Sequence, residues 1–121
     1  RPYIMGRIID VERFFALYRC NPKVEDVRIR FEVEDPFLEW NNRAFAVRFC
    51  HGTCHVGAGE GKAPAHDGAV RLSIGTLTTL LLGYKTAAQL SRMERIGGSE
   101  QTVGMLDEAL LHIPPYISDY I

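Results

Sequence analysis

The stretch Val27-Arg28-Ile29-Arg30-Phe31-Glu32-Val33-Glu34 decides the fold. Successive side chains of a strand leave opposite faces, so Val27, Ile29, Phe31 and Val33 line a core while Arg28, Arg30, Glu32 and Glu34 meet water. A strand wet on one face points to an antiparallel sheet. Asp35-Pro36 breaks the strand, and Asn41-Asn42 supplies side chains that tolerate left-handed turn geometry. From Ala44 to Cys50 the period of two returns, with Phe45, Val47 and Phe49 inward. The spacing predicts a meander, with Trp40 packed at the corner between the strands.

Upstream, Tyr3 to Ile9 reads as a short strand and Asp10 as a helix N-cap, with Ile9 and Phe14 placed as a hydrophobic staple. The helix runs from Val11 to about Arg19, burying Phe14, Phe15 and Leu17, and Asn21-Pro22 ends it. Cys20 reads as a small packing residue. Downstream, residues 57–68 (G-A-G-E-G-K-A-P-A-H-D-G) cannot bury much and form an exposed loop within the domain. Val70, Leu72 and Ile74 alternate in a last strand. The period then lengthens to that of a helix. Thr76 to Leu82 is a helix stopped at Gly83. Thr86 and Gln89 have the spacing of a capping box, opening a helix through about Arg92 that buries Ala87, Leu90 and Met93. Ser99 caps a third helix with the stripe Val103, Leu106, Leu110 and Ile113, ended by Pro114-Pro115. The whole predicts an α+β fold: an antiparallel, mixed-edge sheet of about five strands with helices on one face, residues 1–121 forming a single domain.

A net charge of −1 over 121 residues gives no field to gather phosphate backbones or anionic lipid, so nucleic acid and membrane are not expected partners. Three cysteines, an odd number in a chain large enough to fold without staples, fit reduced thiols and a cytoplasmic setting. No apolar run approaches the ~20 residues of a membrane span. The chain starts at Arg1, and its first methionine, Met5, sits inside an apolar run, which suggests a piece of something longer.

Cys50-His51-Gly52-Thr53-Cys54-His55, with His66 beyond, is the strongest lure toward metal chemistry. Paired zinc cysteines are usually separated by two residues, whereas here the gap is three and no second pair follows. No metal site is expected, and the segment reads as a polar strand end. The loop G-A-G-E-G-K fails as a phosphate loop at Val56 and Ala63. Ser73, in R-L-S-I-G, lacks the first glycine of a nucleophile elbow and reads as structural. Glu32 and Glu34 lie on the wet strand face, Asp107 and Glu108 are adjacent on a helix, and His112 suits helix-end carbonyls. None of these pairs reads as catalytic.

Two segments, I-M-G-R-I-I-D-V-E-R-F and R-L-S-I-G-T-L-T-T-L-L-L-G-Y-K-T-A-A-Q-L, and the tail I-S-D-Y-I resemble the C-terminal, sterol-carrier-like domain of enhanced-intracellular-survival (Eis) type N-acetyltransferases. The resemblance covers nearly the whole chain. It implies a longer protein whose acetyltransferase domains precede this one and transfer acetyl from acetyl-CoA to amines. The family's R/Q-x-x-G-x-G/A cofactor loop has only near misses here, at Arg95 to Glu100 and Gln101 to Leu106, so no cofactor site is expected in this domain. By the same resemblance the terminal carboxylate of Ile121 serves the acetyltransferase site as general base, and Tyr120 lines that site. Ile121 stands where the family commonly has an aromatic residue, which keeps the carboxylate and removes the ring. The expected partners are the acetyltransferase domains of the same chain and, by family habit, further copies of it. A second reading is a lipid- or sterol-binding module without catalytic activity, with Phe31, Phe45, Phe49, Leu81 and Leu82 lining a space for an apolar ligand.

Overall fold

The computed structural model describes residues 7–57 and 66–110. Strand β1 (Val27–Glu34) pairs antiparallel with β2 (Ala44–Cys50), setting Phe31 opposite Phe45 and Ile29 opposite Val47. Strand β3 (Thr53–Val56) pairs antiparallel with β2, and β4 (Gly68–Ser73) lies parallel to β1, with Val70 beside Phe31 and Leu72 beside Val33. The order is β3-β2-β1-β4. The described residues thus hold four strands rather than about five, in the expected antiparallel sheet with a mixed edge, β4 being the parallel edge strand. The expected first strand falls partly on residues 1–6, outside the described residues, and residues 7–9 are not strand. Which strand forms the parallel edge is not legible in the sequence, because one-sided alternation reports which face is buried, not which way the neighbour runs.

The segment read as a polar strand end is a hairpin. His51 (φ +48°) and Gly52 (φ +91°) are both left-handed, as a tight two-residue turn between twisted strands requires. Register then sets Phe49 opposite Cys54 and Cys50 opposite Thr53.

Helix α1 (Val11–Leu17) starts where Asp10 accepts from the Arg13 amide at 3.1 Å. Val11 and Phe15, one turn apart, are buried, and the Phe15 ring lies 5.1 Å from Phe31 and 6.5 Å from Phe49. Leu17 follows Phe15 by two residues, roughly 200° around a helix, and is 74% exposed instead of buried. Phe14 is half-buried. The helix stops at Leu17 because Tyr18 is extended and Arg19 bridges to Thr53 on the outer edge of β3.

Ser73 closes β4 and caps α2 (Ile74–Leu81), accepting from Thr76 at 3.1 Å. At its other end Gly83 is left-handed (φ +82°), its amide donates to the Leu80 carbonyl at 3.1 Å, and the Tyr84 amide donates to Thr79 at 3.1 Å. This reciprocal pair satisfies carbonyls that the helix leaves over. Helix α3 (Ala87–Arg92) opens with both halves of the expected capping box, Gln89 amide to Thr86 at 3.1 Å and Thr86 amide to Gln89 at 2.9 Å. Met93, expected inside, ends the helix and is 48% exposed.

Helix α3 closes with the same type of cap as α2, except that the left-handed residue is Glu94 (φ +62°). A β-carbon there is disfavoured by about 1 kcal/mol, so Glu94→Gly is expected to raise stability by up to about that amount in a denaturant titration. Helix α4 (Glu100–Ala109) is capped by Ser99 and buries Val103 and Leu106, with Leu110 buried at its end, while Ile113 lies outside the described residues. Asp107 spends its carboxylate on the first amides of α3, Ala87 at 2.7 Å and Ala88 at 2.9 Å.

The buried residues of all four strands share one face, covered by the helices. Arg28, Arg30, Glu32, Arg48 and Arg71 share the other. Among the described residues no helix is long and apolar enough to cross a membrane.

Candidate functional site

Among the described residues, the buried polar side chains of Asp35, Asn41 and Thr78 gather on the stretch 7–10 that leads into α1. Its guide is Asp35, read from the sequence only as a strand breaker, yet buried in the structure. The Asp35 carboxylate is paired with the Arg7 guanidinium and accepts from the Asn41 amide group at 3.0 Å and the backbone amides of Phe37 (3.0 Å) and Leu38 (3.1 Å). Burial alone pushes this carboxyl upward. The hydrogen bonds from Arg7, Asn41, Phe37 and Leu38 outweigh it and hold Asp35 well below the ordinary carboxylate range.

Asn41, expected to serve a turn, is fully buried beside Asp35. Its side-chain oxygen accepts from the Val11 amide at 2.9 Å, and its NH2 donates to the Ile9 carbonyl at 2.9 Å. Trp40 is 53% exposed instead of packed at a corner, but its indole N–H reaches the same Ile9 carbonyl at 2.8 Å. The Ile8 amide donates to the Thr78 hydroxyl on α2 at 3.1 Å. Every residue from Arg7 to Val11 is therefore fastened, and the direction in which the polypeptide joins the domain is fixed. No periodicity marks Asp35, Asn41 or Thr78, because burial of a polar residue depends on partners distant in sequence.

Beside this strap lies an open groove of about 370 Å³ between α1 and the end of α2. Ile9, Phe14, Leu17 and Leu82 give it an apolar lining, to which Arg7 and Arg13 add charge.

The candidate catalytic residue Ile121, its neighbour Tyr120 and His112 lie outside the described residues, as do residues 58–65 of the glycine-rich loop. The polypeptide leaves the described part after Leu110, where α4 is tied to the α1–β1 connection by the Asn21 amide to the Ala109 carbonyl (2.9 Å) and the Asn21 side chain to the Glu108 carbonyl (3.0 Å). Register places Cys50 on the wet face and Cys54 on the core face, so the two thiols of the lure diverge. Burial, with Cys20 alongside, pushes the Cys54 thiol far above its ordinary value and makes it a poor ligand and nucleophile. Among the described residues no three metal-ligating side chains converge. Glu32 takes Arg30 and Arg71 as partners, both at 3.4 Å, on the wet face. Phe31, Phe45 and Phe49 are buried, and Phe15 packs against Phe31 and Phe49, where the lipid reading needs space.

A mixed four-stranded sheet with helices over one face and a pinned leading strap defines a small α+β domain of the sterol-carrier type. The chain belongs to the sterol carrier protein domain family, whose model matches residues 11–118. No curated protein matches the sequence. Among solved structures it is similar to a probable N-acyltransferase from Enterococcus faecalis, at 27% identity and a TM-score of 0.76, covering 87% of this chain and 25% of that one. It is also similar to a GCN5-related N-acetyltransferase from Anabaena variabilis (21% identity, TM-score 0.77), covering 90% of this chain and 26% of the other. Eis1 from Mycobacterium abscessus matches at 20% identity and a TM-score of 0.67, with 91% of this chain and 26% of that one covered. The chain thus spans about a quarter of the length of these relatives, and the resemblance to Eis-type acetyltransferases read from its sequence holds in three dimensions.

Proposed function

We propose that this chain is the C-terminal domain of an acetyl-CoA-dependent amine N-acetyltransferase and that its terminal carboxylate, on Ile121, is the general base of the parent enzyme. One observation carries the reading: the likeness covers almost all of this chain and only about a quarter of each longer relative, a GCN5-related N-acetyltransferase, a probable N-acyltransferase and Eis1. Acetyl-CoA and the amine bind in the preceding domains, and Tyr120 lines the amine site. The carboxylate accepts a proton from the substrate ammonium, which frees the nitrogen lone pair to attack the acetyl thioester carbonyl, and coenzyme A leaves as its thiol. A free α-carboxylate has a pKa of roughly 3.5, so burial beside the amine must raise it for this work. Homo-oligomer assembly belongs to the same reading.

Deleting Ile121 from the full-length protein shortens the chain and moves the carboxylate back by one residue. Loss of a general base typically costs ~10²–10⁴ in rate, so turnover is expected to fall by that order while acetyl-CoA affinity holds. Unchanged turnover sinks the catalytic terminus. The competing reading, carriage of a lipid or sterol, has less support, since Phe15 packs where the ligand would lie between sheet and helix.

A further inference from the structure

We infer that the groove between the start of α1 and the end of α2 is the seat of the acetyltransferase domain that precedes this one in the full-length chain, receiving an apolar side chain on its lining and an acidic group at Arg13. The inference rests on the parent-chain reading above and adds the surface that joins the two bodies. Exposed apolar side chains are ordinary when scattered and informative when they converge. Here Leu17 and Ile9, 74% and 58% exposed, converge with Phe14 and Leu82 on one groove.

Charge narrows the occupant. The Arg7 guanidinium is committed to Asp35, and the Asp10 carboxylate to the Arg13 amide, while the Arg13 guanidinium has no partner among the described residues. An occupant with a carboxylate beside an apolar side chain satisfies both features. Topology supplies the reason that it comes from the same polypeptide. Residues 7–10 form a wall of the groove and are pinned by Asp35, Asn41, Trp40 and Thr78, so the described polypeptide begins at the groove itself. Tethering of this kind acts as a high local concentration and lets a modest contact area suffice. The relatives are about three and a half times the length of this chain, which leaves ample body to dock.

Hydroxyl-radical footprinting of the full-length protein, beside the 121-residue chain alone, reads side-chain exposure directly. Ile9, Phe14 and Leu17 are expected to label severalfold more slowly in the full-length protein. Leu17→Glu is expected to restore fast labelling of Ile9 and Phe14 there, and Arg13→Glu to restore it in part. Leu17 is mostly exposed, so Leu17→Glu should leave the melting temperature of the 121-residue chain unchanged and isolate the effect from folding. Equal labelling in the two proteins overturns the inference. So does protection that fades on dilution, which would mean a second copy, or protection removed by delipidation, which would mean an apolar ligand. If the coding region upstream holds no acetyltransferase domain, the parent-chain reading fails; if it holds one and labelling is unchanged, only the docking fails.

Discussion

Replacing Asp35 with alanine is expected to cost this domain about 3–5 kcal/mol, a large share of the roughly 5–15 kcal/mol that holds a domain folded. The carboxylate is not decoration on a turn. Its removal strands the Arg7 guanidinium, leaves the part-buried hydrogen bonds of the Phe37 and Leu38 amides without an acceptor, and frees the buried Asn41 side chain that aligns α1. Each orphaned buried donor carries its own desolvation cost, which is why deleting one partner is worse than never having built the pair. Denaturant midpoints of the variant and the parent chain measure the loss. The pH dependence checks the cause. Since the folded state holds this carboxyl below its unfolded value of about 3.9, its contribution is complete above that pH and is lost as pH falls through the depressed folded value. The stability curve of Asp35→Ala should lack that acid limb, and an unchanged limb would mean that other carboxylates set it.

Gly68→Ala is the second large effect, and its origin is space. A β-carbon on Gly68 would stand 2.2 Å from the Thr102 hydroxyl oxygen, 2.7 Å from its methyl and 2.9 Å from its own β-carbon. Rotating Thr102 cannot relieve the last of these, so α4 must back away from the sheet and open the contact that buries Val103 and Leu106. Overpacking of this kind costs about 1–3 kcal/mol, and the upper end is expected because a helix rather than a side chain has to move. Thermal unfolding measures it. Adding Thr102→Ala should recover only part of the loss, since the β-carbon clash persists, and full recovery would locate the strain in the hydroxyl and methyl alone.

How much of this was legible in the sequence depended on whether a residue's fate is local. Strands β1 and β2 were fully so, because Val27–Glu34 and Ala44–Cys50 state burial in their own alternation. The caps at Asp10, Gly83, Thr86 and Ser99 were legible for the same reason: donor and acceptor lie within one turn. Failure came where partners are far apart. Asn41 and Asp35 look like turn residues until they meet Arg7 and Val11, some thirty residues upstream. Strand β3 is only four residues long and enters through His51-Gly52, a weaker turn signal than asparagine-glycine. Leu17 points outward because Val11 and Phe15 fix the inward side of α1, and apolar character alone does not report on which side of a helix a residue lies. Of the candidate site, the terminal residues Tyr120 and Ile121 came from family resemblance alone. The leading strap and its groove carried no local signature at all.

The bridges that Arg19 makes to Thr53 and Gly97 makes to Arg71 occupy hydrogen-bonding positions on the two outermost strands, which are themselves only four and six residues long. Unsatisfied strand margins are the usual template for cross-β growth. With both margins short and partly occupied, a solution of this domain at high concentration has little to nucleate a fibril on. Its self-association should instead be colloidal, driven by greasy patches, reversible and amorphous under the electron microscope, with no thioflavin signal.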